Sequence, residues 1–192
     1  MFIGFDCGNI SPVEAQSLLG GDLANIRNAT EADLPAILSI HNHYVLRSIA
    51  TPLRDQRTMG DQRRWYSELV QGRFPVLVAE QDGLVAGYCY VDRLAPGPSF
   101  APALEEHIYL DPHQLARGFG TQLLNAIVER SRDLGIRTLI ARIDASNTAS
   151  IRVHKKCGFA TVGTVRDVAY KNGTFLSFTI MQLLFDGYFK FD

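Results

Sequence analysis

The chain has 192 residues, with 19 Lys and Arg against 20 Asp and Glu, which gives a formal net charge of -1. This length predicts a single domain with a substantial core, and the balanced charge argues against general electrostatic binding to nucleic acid or to a membrane surface. Three widely spaced cysteines, Cys7, Cys89 and Cys157, form no CxxC pair. Neither a disulfide framework nor a zinc site is therefore expected, and a reducing cytoplasm is the expected location.

The N-terminal 24 residues show no sustained hydrophobic period. They lack a basic start, and Asp6, Pro12 and the Gly20-Gly21 pair interrupt their apolar stretches. These features argue against a signal peptide or a membrane anchor. We therefore predict an N-terminal extension at 1–24 and a folded domain at 25–192.

Hydrophobic periodicity divides the first half of this domain into short elements. The segment 30–33 has the composition of a helix cap, Pro35 fits the first turn of a helix, and Asp82-Gly83 favours a hairpin. In chain order, the predicted elements are a strand at 25–28, a helix that begins near Leu34, a helix at 60–70 and strands at 75–80 and 84–91.

The second half of the domain predicts a strand–helix–strand unit followed by a hairpin. In chain order, the predicted elements are a strand at 104–110, a helix at 118–134, a strand at 137–143, a helix at 148–156 and two strands around Asn172-Gly173. The strand–helix–strand succession implies a right-handed crossover between parallel strands, whereas the hairpins imply antiparallel pairs. The sequence therefore predicts an α/β fold with a mixed sheet.

The segment DPHQLARGFGTQLL, residues 111–124, places Gly118-Phe119-Gly120 at the start of the predicted 118–134 helix. The first N–H groups of a helix have no intrahelical partner, and glycines allow an anion to approach them, so this turn predicts a phosphate site. The segment matches neither the P-loop nor the dinucleotide-binding pattern. A tight strand-to-helix turn without a ligand is the alternative.

Several further segments share their order and spacing with one enzyme family. They are, in chain order, IRNATEADLPAILSIHNHYV, VAGYCYV, EEHIYLDP, RGFGTQLL, NTASIRVHKKCGF and KNGTF with a later MQ. With these motifs, residues 25–185 resemble the GCN5-related N-acetyltransferase (GNAT) family, and more narrowly its phosphinothricin and related amino-acid acetyltransferases. The resemblance implies the GNAT fold, in which helices flank a mixed, mostly antiparallel central sheet with a βαβ core that binds acetyl-CoA. It also implies an acyltransferase that uses acetyl-CoA as co-substrate and forms a homodimer.

The resemblance also assigns main-chain and side-chain contacts to coenzyme A. The glycine turn would hold its pyrophosphate, and the main chain at 109–111 would supply an oxyanion donor. The implied cofactor-binding residues are Leu110, Arg117, Gly118, Phe119, Gly120, Thr121, Asn147 and Ser150. Leu115 stands where the family usually carries Gln or Arg, which is expected to weaken binding without abolishing it, because main-chain amides hold the phosphate. For Asn147 the alternative is a role only as a helix cap.

Acetyl transfer from a thioester to an amine requires a base for the amine and an acid for the departing thiolate. Alternation along the 104–110 strand places Glu105, His107 and Tyr109 on one face and Glu106 and Ile108 on the other. A cluster of ionisable side chains on a central strand is costly to bury without a function. This strand is therefore the expected place for the chemistry.

The resemblance makes Glu105 the general base and His154 the general acid. The alternatives are a solvated carboxylate at the strand entrance for Glu105, and a packing or cofactor-contact role for His154. His107 either orients Glu105 or shares its proton, or is a structural histidine. No metal is expected, because His41 and His43 are two residues apart on a predicted helix and point to different faces.

The implied acceptor is a small-molecule amine, with amino acids and their analogues as candidates. The linker 97–103, GPSFAPA, lacks the Arg and Tyr that the phosphinothricin-like enzymes use there, and Phe175 and Ser177 replace a common Trp and Asp. Because Ala and Phe cannot reproduce bidentate recognition of a carboxylate, a less anionic amine is expected unless another arginine restores the charge. The arginines considered for this role are Arg47, Arg54 and Arg93.

Two other functions stay open at this point. A catalytically silent module that senses coenzyme A is suggested by Leu115 and by the altered linker. A protein-lysine acetyltransferase is the other alternative, although nothing in the sequence marks a peptide groove.

Overall fold

The computed structural model describes residues 23–100 and 102–186. Apart from Leu23 and Ala24, the predicted extension at 1–24 lies outside the described residues, and so does Cys7. The α-helices of the described part are α1 Leu34–Arg47, α2 Met59–Gln71, α3 Phe119–Asp133 and α4 Thr148–Lys156. Each begins within one residue of its predicted start. None of them is long and apolar enough to span a membrane.

One seven-stranded sheet organises these helices. Its strands are β1 Asn25–Asn28, β2 Val76–Gln81, β3 Leu84–Arg93, β4 Ala103–Leu110, β5 Thr138–Asp144, β6 Ala160–Lys171 and β7 Thr174–Leu184. The order across the sheet is β1-β2-β3-β4-β5-β7-β6. The pair β4–β5 is parallel, and the other neighbouring pairs are antiparallel. The predicted α/β fold with a mixed, mostly antiparallel sheet is therefore confirmed.

Local sequence signals set the ends of these elements. Thr58 and Asp61 form a capping box at the start of α2, and Pro35 lies in the first turn of α1. The residues of Asp82-Gly83 and Asn172-Gly173 all have positive φ, which the tight type I′ hairpin turn requires. Both predicted hairpins are therefore confirmed.

Two hydrophobic cores lie on opposite faces of the sheet. Phe119, Leu123 and Ile127 of α3 are fully buried in one of them. On the other face, α1 and α2 cover the sheet, with Ile37 buried in the same core as Tyr88. This sandwich of helices around the sheet fixes both faces of the central strand β4.

The central pair of strands separates part of the way along its length. The parallel register joins 103–106 of β4 to 138–141 of β5, although both strands continue beyond it. The βαβ unit formed by β4, α3 and β5 therefore carries a gap in the middle of the sheet, directly beside the start of α3.

Candidate active site

The gap between β4 and β5 opens into a cleft of about 540 Å³. Its walls are the end of β4, the start of α3, the end of β5 and one side of α4. The predicted site residues that line the cleft are His107, Leu110, Gly118, Gly120, Thr121, Asn147, Ser150 and His154. Phe119 lies behind this wall in the core, and the Arg117 guanidinium sits 5.0 Å from the centre of its ring. The fold therefore brings most of the predicted residues to one cavity.

Glycines shape the start of α3. Gly118, the residue that precedes the helix, has a φ of 88°, a left-handed conformation that glycine adopts without strain. A Cβ atom on Gly120 would lie 3.4 Å from Cδ1 of Leu110, so a side chain there would crowd the facing end of β4. Because this turn lines the cleft, an anion can approach the first-turn amides of α3 closely, as phosphate binding requires.

Asn147 caps helix α4. Its Oδ1 accepts a hydrogen bond of 3.0 Å from the Ser150 amide, and its carbonyl oxygen accepts one from the amide of Ile151. The capping role considered from the sequence is therefore confirmed. A contact between Asn147 and the cofactor stays a prediction, which its position in the cleft wall permits.

The end of β4 directs main-chain groups into the gap. The amide of Asp111 donates to the carbonyl oxygen of Ala86 at 2.9 Å, and hydrogen-bonding groups alternate along an antiparallel strand. The N–H groups of Ile108 and Leu110 therefore point away from β3 and towards the gap. The carbonyl oxygen of Leu110 accepts a hydrogen bond of 3.0 Å from the Tyr44 hydroxyl. This end of β4 thus offers donors where the resemblance implied one.

His154 forms a buried pair with Glu106, a residue to which the sequence analysis gave no role. Its ring is 1% exposed; Nε2 lies 2.7 Å from Oε1 of Glu106, and Nδ1 lies 2.8 Å from the carbonyl oxygen of Ser150. Burial alone would lower the pKa of His154, but the hydrogen bond and charge of Glu106, with the Ser150 carbonyl, outweigh burial and raise the pKa. Because both ring nitrogens face acceptors, the pair holds a proton at the wall of the cleft.

A smaller cavity of about 180 Å³, here called the side pocket, lies on the opposite face of β4. Glu105, His107 and Tyr109 line it, whereas Ile108 packs in the core under α3 and Glu106 faces His154. The alternation predicted for this strand is therefore confirmed. His107 and Tyr109 line both cavities, so the side pocket adjoins the cleft where β4 and β5 separate.

Glu105 is a buried carboxylate, 5% exposed, which is not the solvated group considered as its alternative. Nε of Arg142 donates a hydrogen bond to Oε1 of Glu105. This hydrogen bond and the charge of Glu105 raise the pKa of Arg142. Arg142 was not among the predicted site residues, although a charged residue within the apolar strand TLIARID was a signal that could have found it.

The three arginines considered from the sequence lie elsewhere. Arg47, Arg54 and Arg93 are not among the described residues that line the side pocket. The Arg54 guanidinium donates to the carbonyl oxygen of Tyr170, and that of Arg93 sits 5.8 Å from the centre of the Phe74 ring. Arg142 is the guanidinium that the fold places in this pocket.

The hydrogen-bond partner of His107 is Asp92. Nε2 of His107 lies 3.1 Å from Oδ1 of Asp92, and its ring stacks on Tyr90 with centroids 4.5 Å apart. Burial alone would lower the pKa of His107, but the hydrogen bond and charge of Asp92 outweigh burial and raise the pKa. These contacts support the structural role, and a shared proton with Glu105 stays a prediction. The ligand atoms of Asp92, Glu105 and His107 lie within 4.8 Å of one another, and the expected absence of a metal likewise stays a prediction.

The outer wall of the side pocket is the segment 50–53 after α1. Lys171, 2% exposed, holds this segment from the β6–β7 hairpin. Its ammonium donates to three main-chain carbonyl oxygens, those of Tyr44, Ser48 and Thr51, at 3.3, 2.6 and 2.9 Å. The hairpin therefore fixes the wall of the pocket, a role that the sequence analysis did not give to Lys171.

Comparison with known proteins agrees with this geometry. A family model described as an acetyltransferase (GNAT) domain matches residues 24–160. The chain is 35% identical to the L-methionine sulfoximine/L-methionine sulfone acetyltransferase of Pseudomonas aeruginosa over 164 residues, which cover 85% of this chain and 95% of that protein. It is 34% identical to the L-amino acid N-acyltransferase MnaT of Escherichia coli over 163 residues, 84% of this chain and 94% of that protein.

A solved structure is similar over most of the chain. It is the GNAT superfamily phosphinothricin acetyltransferase of Sinorhizobium meliloti in complex with acetyl-CoA, with a TM-score of 0.82 and 30% identity. The match covers 85% of this chain and 89% of that one. By its family motifs, its sheet with the gap between β4 and β5, and these likenesses, the chain belongs to the GNAT acetyltransferase family and is an N-acetyltransferase that uses acetyl-CoA.

Proposed function

We propose that the protein transfers the acetyl group of acetyl-CoA to the primary amine of a small molecule, an amino acid or an analogue of one. The observation that carries this proposal is the buried carboxylate of Glu105 in a pocket of about 180 Å³ that adjoins the cleft. A pocket of this size suits a small acceptor. The names of the relatives, which specify methionine sulfoximine, methionine sulfone and L-amino acids, support the same class.

The chain's own residues fit coenzyme A. The glycine turn at Gly118 exposes first-turn amides to the cleft, and Thr121, Asn147 and Ser150 line the same cavity. We assign the pyrophosphate to the amides of 118–121 and the remainder of the carrier to the walls formed by Leu110 and α4. When bound there, acetyl-CoA supplies an activated thioester.

Within this arrangement, Glu105 acts as the general base. Its carboxylate takes a proton from the acceptor's ammonium, directly or through a water molecule, which leaves a nitrogen lone pair free to attack the thioester carbon. The amides of Ile108 and Leu110 point into the gap and stabilise the negative charge that develops on the thioester oxygen. The C–N bond forms as the C–S bond breaks.

The buried His154–Glu106 pair returns a proton to the departing thiolate. His154 lines the cleft. Against the effect of burial, Glu106 and the Ser150 carbonyl raise the pKa of His154, which favours a proton on the pair. The products are the N-acetylated amine and coenzyme A as a free thiol. The acceptor's nitrogen loses two protons in all, one to Glu105 before the attack and a second to solvent as the C–S bond breaks, while the pair supplies one proton to the thiolate. One proton is therefore released overall, and Glu105 and the pair return to their starting states by exchange with solvent.

Glu105→Gln tests the base. We expect coenzyme A binding, measured by calorimetry, to stay unchanged while turnover falls about 100- to 10,000-fold, the usual contribution of general base catalysis. The loss should shrink as the pH rises, because the amine then loses its proton unaided. Glu68→Gln, on exposed α2 surface, is the matched control. Equal turnover of Glu105→Gln and wild type at neutral pH would remove Glu105 from the mechanism.

A screen of thiol release with amino acids and small amines separates the enzyme from a module that only senses coenzyme A. Leu115, half exposed beside the glycine turn, and the altered linker 97–103 are the features that favour the sensor. Calorimetric binding of coenzyme A without thiol release on any amine would support the sensor and refute the transferase.

We also propose that the protein is a cytoplasmic homodimer. Strand β6 lies at the edge of the sheet, and Val162, Val165 and Val168 are exposed along it, a surface that a second copy would cover. The free cysteines Cys89 and Cys157 suit a reducing compartment. Light scattering of wild type and Val165→Lys tests the dimer; a wild-type mass of one chain would refute it.

A further inference from the structure

The side pocket contains one permanent positive charge among the described residues that line it. That charge is the guanidinium of Arg142, whose side chain is 58% exposed. Its hydrogen bond among the described residues is made by Nε to Glu105. This contact leaves the two terminal nitrogens of the guanidinium as donors, and Arg142 lines both the side pocket and the cleft. A planar guanidinium of this kind suits a carboxylate, which it can bind with two parallel hydrogen bonds.

The charges of Glu105 and Arg142 are complementary to those of an α-amino acid. An α-amino acid carries an ammonium and a carboxylate on one carbon atom, and the pocket presents a carboxylate and a guanidinium in contact with each other. Further charged groups near this pocket are the Asp92–His107 pair, the ammonium of Lys171 on the carbonyl oxygen of Thr51, and Arg57, whose charge acts on Tyr90 and Tyr109. A zwitterion entering between Glu105 and Arg142 would match both charges of the pair at once.

We propose that Arg142 recognises the carboxylate of the acceptor and thereby selects α-amino acids. This inference rests on the proposed function, and it assigns to Arg142 on β5 the recognition that the linker 97–103, without arginine or tyrosine, does not supply. Binding of the acceptor's carboxylate draws the guanidinium away from Glu105. The freed carboxylate of Glu105 then takes one proton from the acceptor's ammonium, and the nitrogen forms its bond to the acetyl carbon. The nitrogen gives a second proton to solvent as the C–S bond breaks, and the sulfur leaves as the thiol with the proton of the His154–Glu106 pair.

An amine without a carboxylate cannot draw the Arg142 guanidinium away from Glu105. The ammonium of such an amine must therefore compete with the guanidinium for the carboxylate oxygens of Glu105. The expected result is a weak acceptor, even where the amine fits the pocket. Arg142 is in this sense a specificity-determining residue that also controls the release of the base.

The experiment compares wild type, Arg142→Gln and Arg142→Lys on the common L-amino acids and L-methionine sulfone, each beside its carboxamide, and on simple primary amines. The measured quantity is the ratio of kcat/KM for the acid to that for the carboxamide. The amine pKa differs between an amino acid and its carboxamide, but this difference affects the kcat/KM ratio of every enzyme variant equally. It therefore cancels when the ratio for one variant is compared with the ratio for another. Arg130→Gln, on the exposed face of α3, is the matched control.

We expect Arg142→Gln to lower kcat/KM for the acids about 10- to 100-fold, mainly through KM, as the loss of a hydrogen-bonded charge predicts. The carboxamides should be unaffected or improved, and Arg142→Lys should restore part of the acid preference. Because Arg142 also lines the cleft, coenzyme A binding is measured in each variant by calorimetry; a change in it would affect acids and carboxamides alike and would not alter their ratio. An equal loss for acids and carboxamides, or a wild-type preference for amines without a carboxylate, would overturn the inference while leaving acetyl transfer intact.

Absence of acetylation of every amine would instead refute the proposed function. Calorimetry of the same amino acids with the coenzyme A complex then decides on Arg142 alone. Binding to wild type that Arg142→Gln weakens at least tenfold supports carboxylate recognition, and equal binding or no binding overturns it.

Discussion

Exchange of Glu106 for Gln tests whether His154 carries a proton at the wall of the cleft. Gln has nearly the same shape and can donate a hydrogen bond to a neutral His154 ring, so Glu106→Gln should fold. With a proton on His154, the buried hydrogen bond of 2.7 Å to Glu106 joins charged groups. Such a bond contributes about 1.5–3 kcal/mol, against about 0.5–1.5 kcal/mol for a neutral one. We therefore expect Glu106→Gln to lose about 1–2 kcal/mol of unfolding free energy near pH 6.

This loss should depend on pH in one direction. Because the pKa of His154 is raised in the folded protein, the native state binds more protons than the unfolded chain between the ordinary histidine value of about 6.5 and the folded-state pKa. Stability from the pair is complete below this window and is lost as the pH rises through it, by at most about 1.4 kcal/mol per pH unit. Glu106→Gln lacks most of this dependence, so its stability should converge with that of wild type as the pH rises.

Urea unfolding at a series of pH values from about 6 to 9 measures the effect. Far-UV circular dichroism and the fluorescence of Trp65, the single tryptophan, should report one transition. Glu68→Gln, on the exposed surface of α2, is the matched control, because it lies outside the His154–Glu106 pair and its effect on stability should not change with pH over this range. A difference between wild type and Glu106→Gln that is constant, or that grows, as the pH rises would refute a proton held by the pair.

Three further predictions concern the cofactor turn, the pocket wall and metal ions. Gly118→Ala should weaken coenzyme A binding about tenfold by calorimetry, since a side chain at positive φ costs about 1–2 kcal/mol and relaxation of the turn moves its amides; the remote Gly83→Ala should leave binding unchanged. Lys171→Met should raise KM for the acceptor more than it lowers kcat, because segment 50–53 loses its anchor, whereas Lys155→Met on exposed α4 surface should change neither constant. Prolonged chelation should leave turnover unchanged, and a loss that a divalent cation restores would show that the site near Asp92 holds a metal.

Much of the fold follows from signals a few residues long. The Asp-Gly and Asn-Gly pairs require positive φ and set the hairpins, and the capping box around Thr58 sets the start of α2. The glycine turn before α3 likewise marks a helix entrance open to an anion. These features depend on the conformation of adjacent residues. The order of the elements was therefore predictable, and their bounds were predictable to within one or two residues.

The site's pairings depend on contacts between residues far apart in the chain. Arg142 meets Glu105 across 37 positions, His154 meets Glu106 across 48, and Lys171 reaches Thr51 across 120. Alternation along β4 predicted that Glu105 and Glu106 face opposite sides, but it did not identify their partners. The parallel register of β4 and β5 places Arg142 beside Glu105, and the packing of α4 against the sheet places His154 beside Glu106.

By itself, the sequence determined the family, the order of strands and helices, the glycine turn and the carboxylate on β4. Each of these can be identified from the spacing of nearby residues or from the order of several motifs along the chain. Only the tertiary structure decided which charges neutralise one another and which side chains line each cavity. The physical reason is that a buried charge is stable only beside a partner, and that partner is supplied by strand register and helix packing, not by neighbours along the chain.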